Sequence, residues 1–160
     1  FPYDGKNPIT GRPFFDVFAG TGANGLEAIS RGASEAFFLE RDVRLASAID
    51  KNLKKFKVND LATIVRTDVY RWVERWLPPS NPINIFLSPP FADYEERFDD
   101  FLGLIHLLIE KIAPDSTISI QGEAGFPETR LPDAEQWDFR KYGRNLLLIW
   151  VKPLPETQGE

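Results

Sequence analysis

The sequence predicts an α/β protein: a mostly parallel, seven-stranded sheet with helices on both faces and an antiparallel hairpin at its C-terminal end. Three observations carry that expectation. Short apolar runs alternate with segments of helical period, a glycine-rich loop follows the first run directly, and the last two runs are joined by a link too short for a crossover helix.

Pro13–Phe18 is an apolar run between Gly11 and Ala19-Gly20 and reads as a buried first strand. Beyond the glycine loop, Leu26–Arg31 has the pattern of a helix stopped by Gly32, and Ala36–Leu39 follows as a second strand ending at Glu40. Asp42 is placed to cap a helix in which Val43, Ala46, Ile49, Leu53 and Phe56 repeat at helical spacing. Ala62–Arg66 is the third strand, with Asp68 expected at its end. A helix with Val69, Trp72, Val73 and Trp76 stops before Pro78-Pro79, and Ile83–Leu87 forms a fourth strand that runs straight into Ser88. Tyr94–Ile112 has one continuous helical period, and Thr117–Ile120 is the fifth strand. Trp137–Tyr142 and Leu146–Val151, turned around Gly143, close the sheet as a hairpin. These elements make one domain over residues 1–153, with 154–160 expected to be a disordered tail.

A chain of 160 residues supports one well-buried core. The absence of cysteine excludes a disulfide framework or a thiolate metal site, and no metal is expected. No apolar stretch is long enough to span a membrane, and with no basic-then-apolar leader at Phe1 and no Cys the expected location is cytoplasmic; a monomer is expected. With no Met in the chain and only Phe1–Arg12 before the first strand, the expectation is a processed chain or a piece whose natural N-terminus lies upstream. The net charge of −5 argues against grip on nucleic acid by bulk electrostatics. That acidity is uneven. Residues 1–80 hold twelve Lys and Arg against ten Asp and Glu, and residues 81–160 hold seven against fourteen, which leaves room for a local basic face.

Gly20-Thr21-Gly22-Ala23-Asn24-Gly25 fits G-x-G-x-x-G in the context that pattern requires, after a strand and opening a helix. Glycine permits the tight turn and close backbone approach to a ligand, and the helix N-terminus offers unpaired amides. Alone, the loop suits a dinucleotide, an adenosylmethionine or a purely structural turn. Glu40, at the end of the second strand, stands where a carboxylate can accept both hydroxyls of an adenosine ribose. Asp68, next along the same sheet edge, is a candidate for an adenine amine. Asp16 precedes the loop, and either aspartate can equally serve as a helix cap. Downstream, Ser88-Pro89-Pro90-Phe91 is a rigid loop directly after a buried strand. An exocyclic base amine is a poor nucleophile that must be held in line and relieved of its hydrogens. Ser88 Oγ and the Pro89 carbonyl can accept those hydrogens, and Phe91 can stack on an extruded base. His106 lies in the apolar run Leu104–Leu107 and is expected to be structural rather than a general base.

Together these motifs resemble the RsmD-type small-subunit ribosomal RNA guanine-N2 methyltransferases, of Rossmann-like class I methyltransferase fold. The resemblance runs from Asp16–Ala28 and Arg31-Gly32-Ala33 through Glu40, Asn52 and Asp68 to the proline loop and Lys141-Tyr142-Gly143. It implies S-adenosyl-L-methionine as cofactor, held by Asp16, Phe18, Gly20, Thr21, Gly22, Gly25, Glu40 and Asp68. It further implies a target guanine held by Ser88, Pro89, Pro90 and Phe91, with ribosomal RNA or the small ribosomal subunit as partner. The family usually carries Asp where this chain has Ser88. Ser-Pro-Pro-Phe is also similar to the loop of cytosine-N4 DNA methyltransferases, so the target base stays open at this level. The family's basic N-terminal arm has no counterpart in Phe1–Arg12. Two rival readings remain: an NAD-dependent oxidoreductase, which leaves the proline loop unexplained, and a non-catalytic RNA-binding relative of the same fold.

Overall fold

A computed structural model describes residues 8–157. The strands are β1 (Pro13–Asp16), β2 (Glu35–Leu39), β3 (Ala62–Val65), β4 (Asn84–Leu87), β5 (Thr117–Glu123), β6 (Asp138–Tyr142) and β7 (Asn145–Val151). The helices are α1 (Ala23–Ser30), α2 (Val43–Lys55), α3 (Val69–Arg75), α4 (Phe91–Glu96) and α5 (Phe98–Lys111). They form one seven-stranded sheet in the order β3-β2-β1-β4-β5-β7-β6. Only β7 runs against its neighbours, pairing antiparallel with both β5 and β6.

Strand alternation sorts the core onto two faces. Phe14 and Phe38 point toward α1 and α2, where Ala28, Ile49 and Leu53 receive them. Phe15, Leu39, Ile85 and Ile118 point the other way, toward Val73 of α3 and Phe101, Ile105 and Leu108 of α5. Helices therefore cover both faces, as a parallel sheet requires. Phe15 also stacks on Phe37, 4.4 Å between ring centroids, and meets the edge of Trp76 at 5.1 Å.

Four differences from the sequence expectation bear on the site, and others shift an end by one or two residues, as where β1 stops at Asp16 rather than Phe18. The helix expected as Leu26–Arg31 begins earlier, at Ala23, with Gly22 as its cap. The third strand ends at Val65, so Asp68 is not a strand end but the N-cap of α3, accepting the Tyr70 amide at 2.9 Å. The single helix expected over Tyr94–Ile112 is two helices broken at Arg97, whose φ of −130° leaves the helical region. Arg97 is held there from two sides, with its guanidinium 4.1 Å from the Tyr70 ring centroid and Nε bonded to Asp100 at 3.1 Å. Finally, β5 continues past Ile120 to Glu123, because β7 pairs with it along its whole length. Residues 154–157 are exposed without helix or strand, while 158–160 and Phe1–Asn7 of the expected N-terminal lead lie outside the described residues. No described helix is long and apolar enough to cross a membrane.

Candidate active site

Strand order reverses where β1 pairs with β2 on one side and β4 on the other. In such sheets the crevice beyond the carboxyl ends of the diverging strands is the natural ligand site. A cavity of about 230 Å³ opens there. Val17, Phe18 and Gly20 enter it from the end of β1, Glu40 from β2, Asp68 and Tyr70 from the start of α3, and Ser88 and Pro90 from the end of β4.

Glu40 is fixed from both ends. Its Oε1 accepts the Gly20 amide at 3.1 Å and its Oε2 the Asp42 amide at 3.1 Å, tying the glycine loop to the start of α2. Each carboxylate oxygen retains lone-pair capacity toward the cavity. Asp42 caps α2 as expected, accepting the amides of Arg44 and Leu45 at 2.8 and 3.0 Å; these bonds hold its carboxyl below the ordinary range.

The glycine loop divides into parts with different tasks. Gly20 lines the cavity, whereas exposed Thr21 and buried Gly22 and Gly25 do not. Gly22 has φ +80°, a left-handed cap that only glycine adopts freely. Gly25 lets α1 settle on the sheet, since a Cβ there would overlap the Phe38 ring. Asp16 also lies outside the cavity lining. It is fully buried beneath the loop, with Oδ2 accepting the Gly25 amide at 3.2 Å and no partner for Oδ1. Burial raises its pKa to about 7, opposed by the Gly25 bond and assisted by the nearby Glu40 charge. It positions the loop rather than lining the cavity.

Ser88 stands at the junction of two hollows. Besides the cavity at the switch point, it lines a smaller one of about 110 Å³ on the far side of the proline loop, with Pro89, Phe91, Tyr94 and the residues ending β5. Pro89 is buried and Phe91 is 58% exposed, which leaves its ring free as a stacking surface. The Pro90 carbonyl accepts the Asp93 amide at 2.9 Å and so starts α4. His106 is exposed on α5 and lines neither hollow.

Three cavity residues had no local signal in the sequence. Tyr70 donates its hydroxyl to Asp93 Oδ2 at 2.7 Å, and Arg97 covers the Tyr70 ring. Burial, then the bond to Asp93, pushes the Tyr70 pKa upward, so it stays neutral. This chain of contacts fastens α4, and with it the proline loop, to α3.

The model of the family described as "Conserved hypothetical protein 95" matches residues 4–151. Ribosomal RNA small subunit methyltransferase D of Haemophilus influenzae is 31% identical over 131 residues, covering 79% of this chain and 63% of that protein. The protein of the same name from Escherichia coli K12 is 37% identical over 76 residues, 48% of this chain and 37% of that one. The matched segments thus span less than two thirds of these relatives' own length. A solved Escherichia coli structure, provisionally described as a methyltransferase, superposes with TM-score 0.73 at 26% identity, covering 92% of this chain and 80% of that one. An RNA methyltransferase from Salinibacter ruber, solved in complex with S-adenosyl-L-homocysteine, shares the fold at TM-score 0.62 and 19% identity, covering 93% and 87%.

Proposed function

Because the chain belongs to the family described as conserved hypothetical protein 95 and carries the RsmD-type motifs, we propose that it is an S-adenosylmethionine-dependent methyltransferase acting on the N2 amine of a guanine in small-subunit ribosomal RNA. The observation that carries this reading is the meeting of two hollows at Ser88, one for a methyl donor and one for a base.

The donor cavity suits S-adenosylmethionine in shape and charge. Val17, Leu39, Leu45 and Val69 give it apolar walls for an adenine, and Glu40 offers acceptors for a ribose diol. Glu40, Asp68 and Asp93 line it against Arg41 and Arg97, a balance that suits a donor with cationic ammonium and sulfonium groups. A dinucleotide fits less well. Its pyrophosphate would seek amides at the start of α1, and there the Gly25 amide is already bonded to Asp16.

When bound, S-adenosylmethionine supplies an electrophilic methyl group and leaves with the C–S bonding pair as S-adenosylhomocysteine. The protein's part is positioning and proton removal. Ser88 Oγ and the Pro89 carbonyl accept hydrogens of the base amine and aim its lone pair toward the donor cavity. As that pair becomes the new N–C bond, the amine gains positive charge and sheds a proton through Ser88 Oγ to solvent. No strong base is required, because the proton becomes acidic only as the methyl arrives. Phe91 covers the base.

Transfer of labelled methyl to undermodified small ribosomal subunits, naked rRNA and DNA in parallel, followed by nucleoside analysis, tests this directly. The expected product is N2-methylguanosine in the RNA arms. Ser88→Ala should lower turnover about tenfold, the loss of one hydrogen bond at the reacting atom, with S-adenosylhomocysteine affinity unchanged. Full activity in that variant removes the hydroxyl from the mechanism. Thermal stabilisation by NAD but not by S-adenosylhomocysteine points instead to the oxidoreductase.

A further inference from the structure

The hollow behind the proline loop is closed on its other side by the end of β5. Gln121, Gly122 and Glu123 line it there, with Asn145 of β7 opposite Glu123 in the last rung of the β5–β7 pair. Two of its polar groups are already used. Tyr94 donates its hydroxyl to the Gln121 carbonyl at 2.6 Å, and burial, then the Glu123 charge, raises the Tyr94 pKa, keeping that hydroxyl protonated. Glu123 is different: it is exposed and forms no ion pair among the described residues. A carboxylate with two forked acceptors therefore stands in the same hollow as Ser88.

We infer that Glu123 is the specificity-determining residue that selects guanine, accepting N1–H and one N2 hydrogen of its Watson–Crick edge. This rests on the function proposed above and deepens it. Guanine presents two adjacent donors on that edge. Cytosine and adenine each set an amine beside an unprotonated ring nitrogen, whose lone pair a carboxylate repels. Flipped and single-stranded bases are commonly read on this edge, and a site built to accept a hydrogen discriminates strongly against a base that lacks it. The second N2 hydrogen is shared between Ser88 Oγ and the Pro89 carbonyl. Ser88 is neutral, so Glu123 also supplies the negative charge that steadies the amine as it becomes positive.

The test uses the full chain and small-subunit rRNA fragments that carry either guanine or 2-aminopurine at the methylated position. 2-Aminopurine keeps the N2 amine but replaces N1–H with a lone pair. Wild-type protein should favour guanine by about tenfold or more in kcat/KM. Glu123→Gln can donate from its amide to the unprotonated N1 and should shrink that preference at least about tenfold. Glu123→Asp should keep the preference at a lower rate. S-adenosylhomocysteine binding and the melting temperature should be unchanged in both variants, which controls for folding. An unchanged guanine preference in Glu123→Gln overturns the assignment alone, whereas methyl recovered on cytosine N4 or adenine N6 overturns the guanine reading proposed above and this assignment with it. Failure of the wild type to methylate any RNA or DNA while binding S-adenosylhomocysteine overturns the underlying function, and this assignment with it.

Discussion

Gly22→Val is expected to abolish measurable binding of S-adenosylhomocysteine, a loss of at least about 100-fold in affinity, while leaving a folded protein. At φ +80° a valine pays the left-handed penalty in its most severe, β-branched form. Its Cβ would also sit 3.1 Å from Ile49 Cγ1 and 3.4 Å from Phe38 Cε1, so relief must come from the loop moving outward. That movement takes Gly20 away from Glu40 and distorts the floor of the cavity at the switch point. Calorimetric titration with S-adenosylhomocysteine reads the affinity, and far-ultraviolet circular dichroism reads the fold. Gly25→Ala provides the contrast: its Cβ overlaps the fully buried Phe38 ring, so it should lower the melting temperature as well. Wild-type affinity in Gly22→Val would mean that the glycine loop does not form the donor site.

Asp16→Asn is expected to stabilise the protein at pH 8 by up to a few kcal/mol and to confer no advantage at pH 5. In the native protein the Asp16 carboxyl holds its proton to about pH 7, against an ordinary value of 3.8. Between those values the native state binds more protons than the unfolded one, so the contribution of Asp16 to stability falls as pH rises through this window and is lowest above it. Asparagine is neutral throughout and keeps an oxygen for the Gly25 amide. The groups that bear on Asp16 are that amide and Glu40. Melting temperatures of both proteins from pH 5 to pH 8 give the check. A constant difference across the range would show that Asp16 does not titrate there, and a less stable variant at pH 8 would show that the buried charge is compensated.

The sequence made the parallel sheet legible because a strand facing two helical layers is largely apolar along its length, as Ile83–Leu87 is but for Asn84. The cavity beside Gly20 and Glu40 was legible because these parts are local: a turn at Gly20–Gly25 and a carboxylate at the next strand end. Asp16 and Asp68 could be placed only near the site, since whether a carboxylate faces a ligand or an amide depends on how α1 and α3 start. The end of β5 was hidden for another reason. Gln121-Gly122-Glu123 is polar and carries a glycine, which reads as loop, and only the pairing with β7 makes it strand. Glu123 was missed with it. Tyr70, Asp93 and Arg97 belong to segments whose approach at the sheet edge is set by tertiary packing alone.

The place of β7 between β5 and β6 bears on how the protein is made. The last of the described strands is an interior strand of the sheet, so the emerging polypeptide can assemble β1–β5 only with the β5 edge bare until Asn145–Val151 has left the ribosome. That bare edge is Thr117–Glu123, apolar at Ile118 and Ile120 and open to pairing with a neighbouring chain. Premature stops just before Asn145 should therefore yield aggregates rather than a smaller soluble domain, and the Gln121–Glu123 end of β5 should be among the last parts of the molecule to acquire protection from hydrogen exchange.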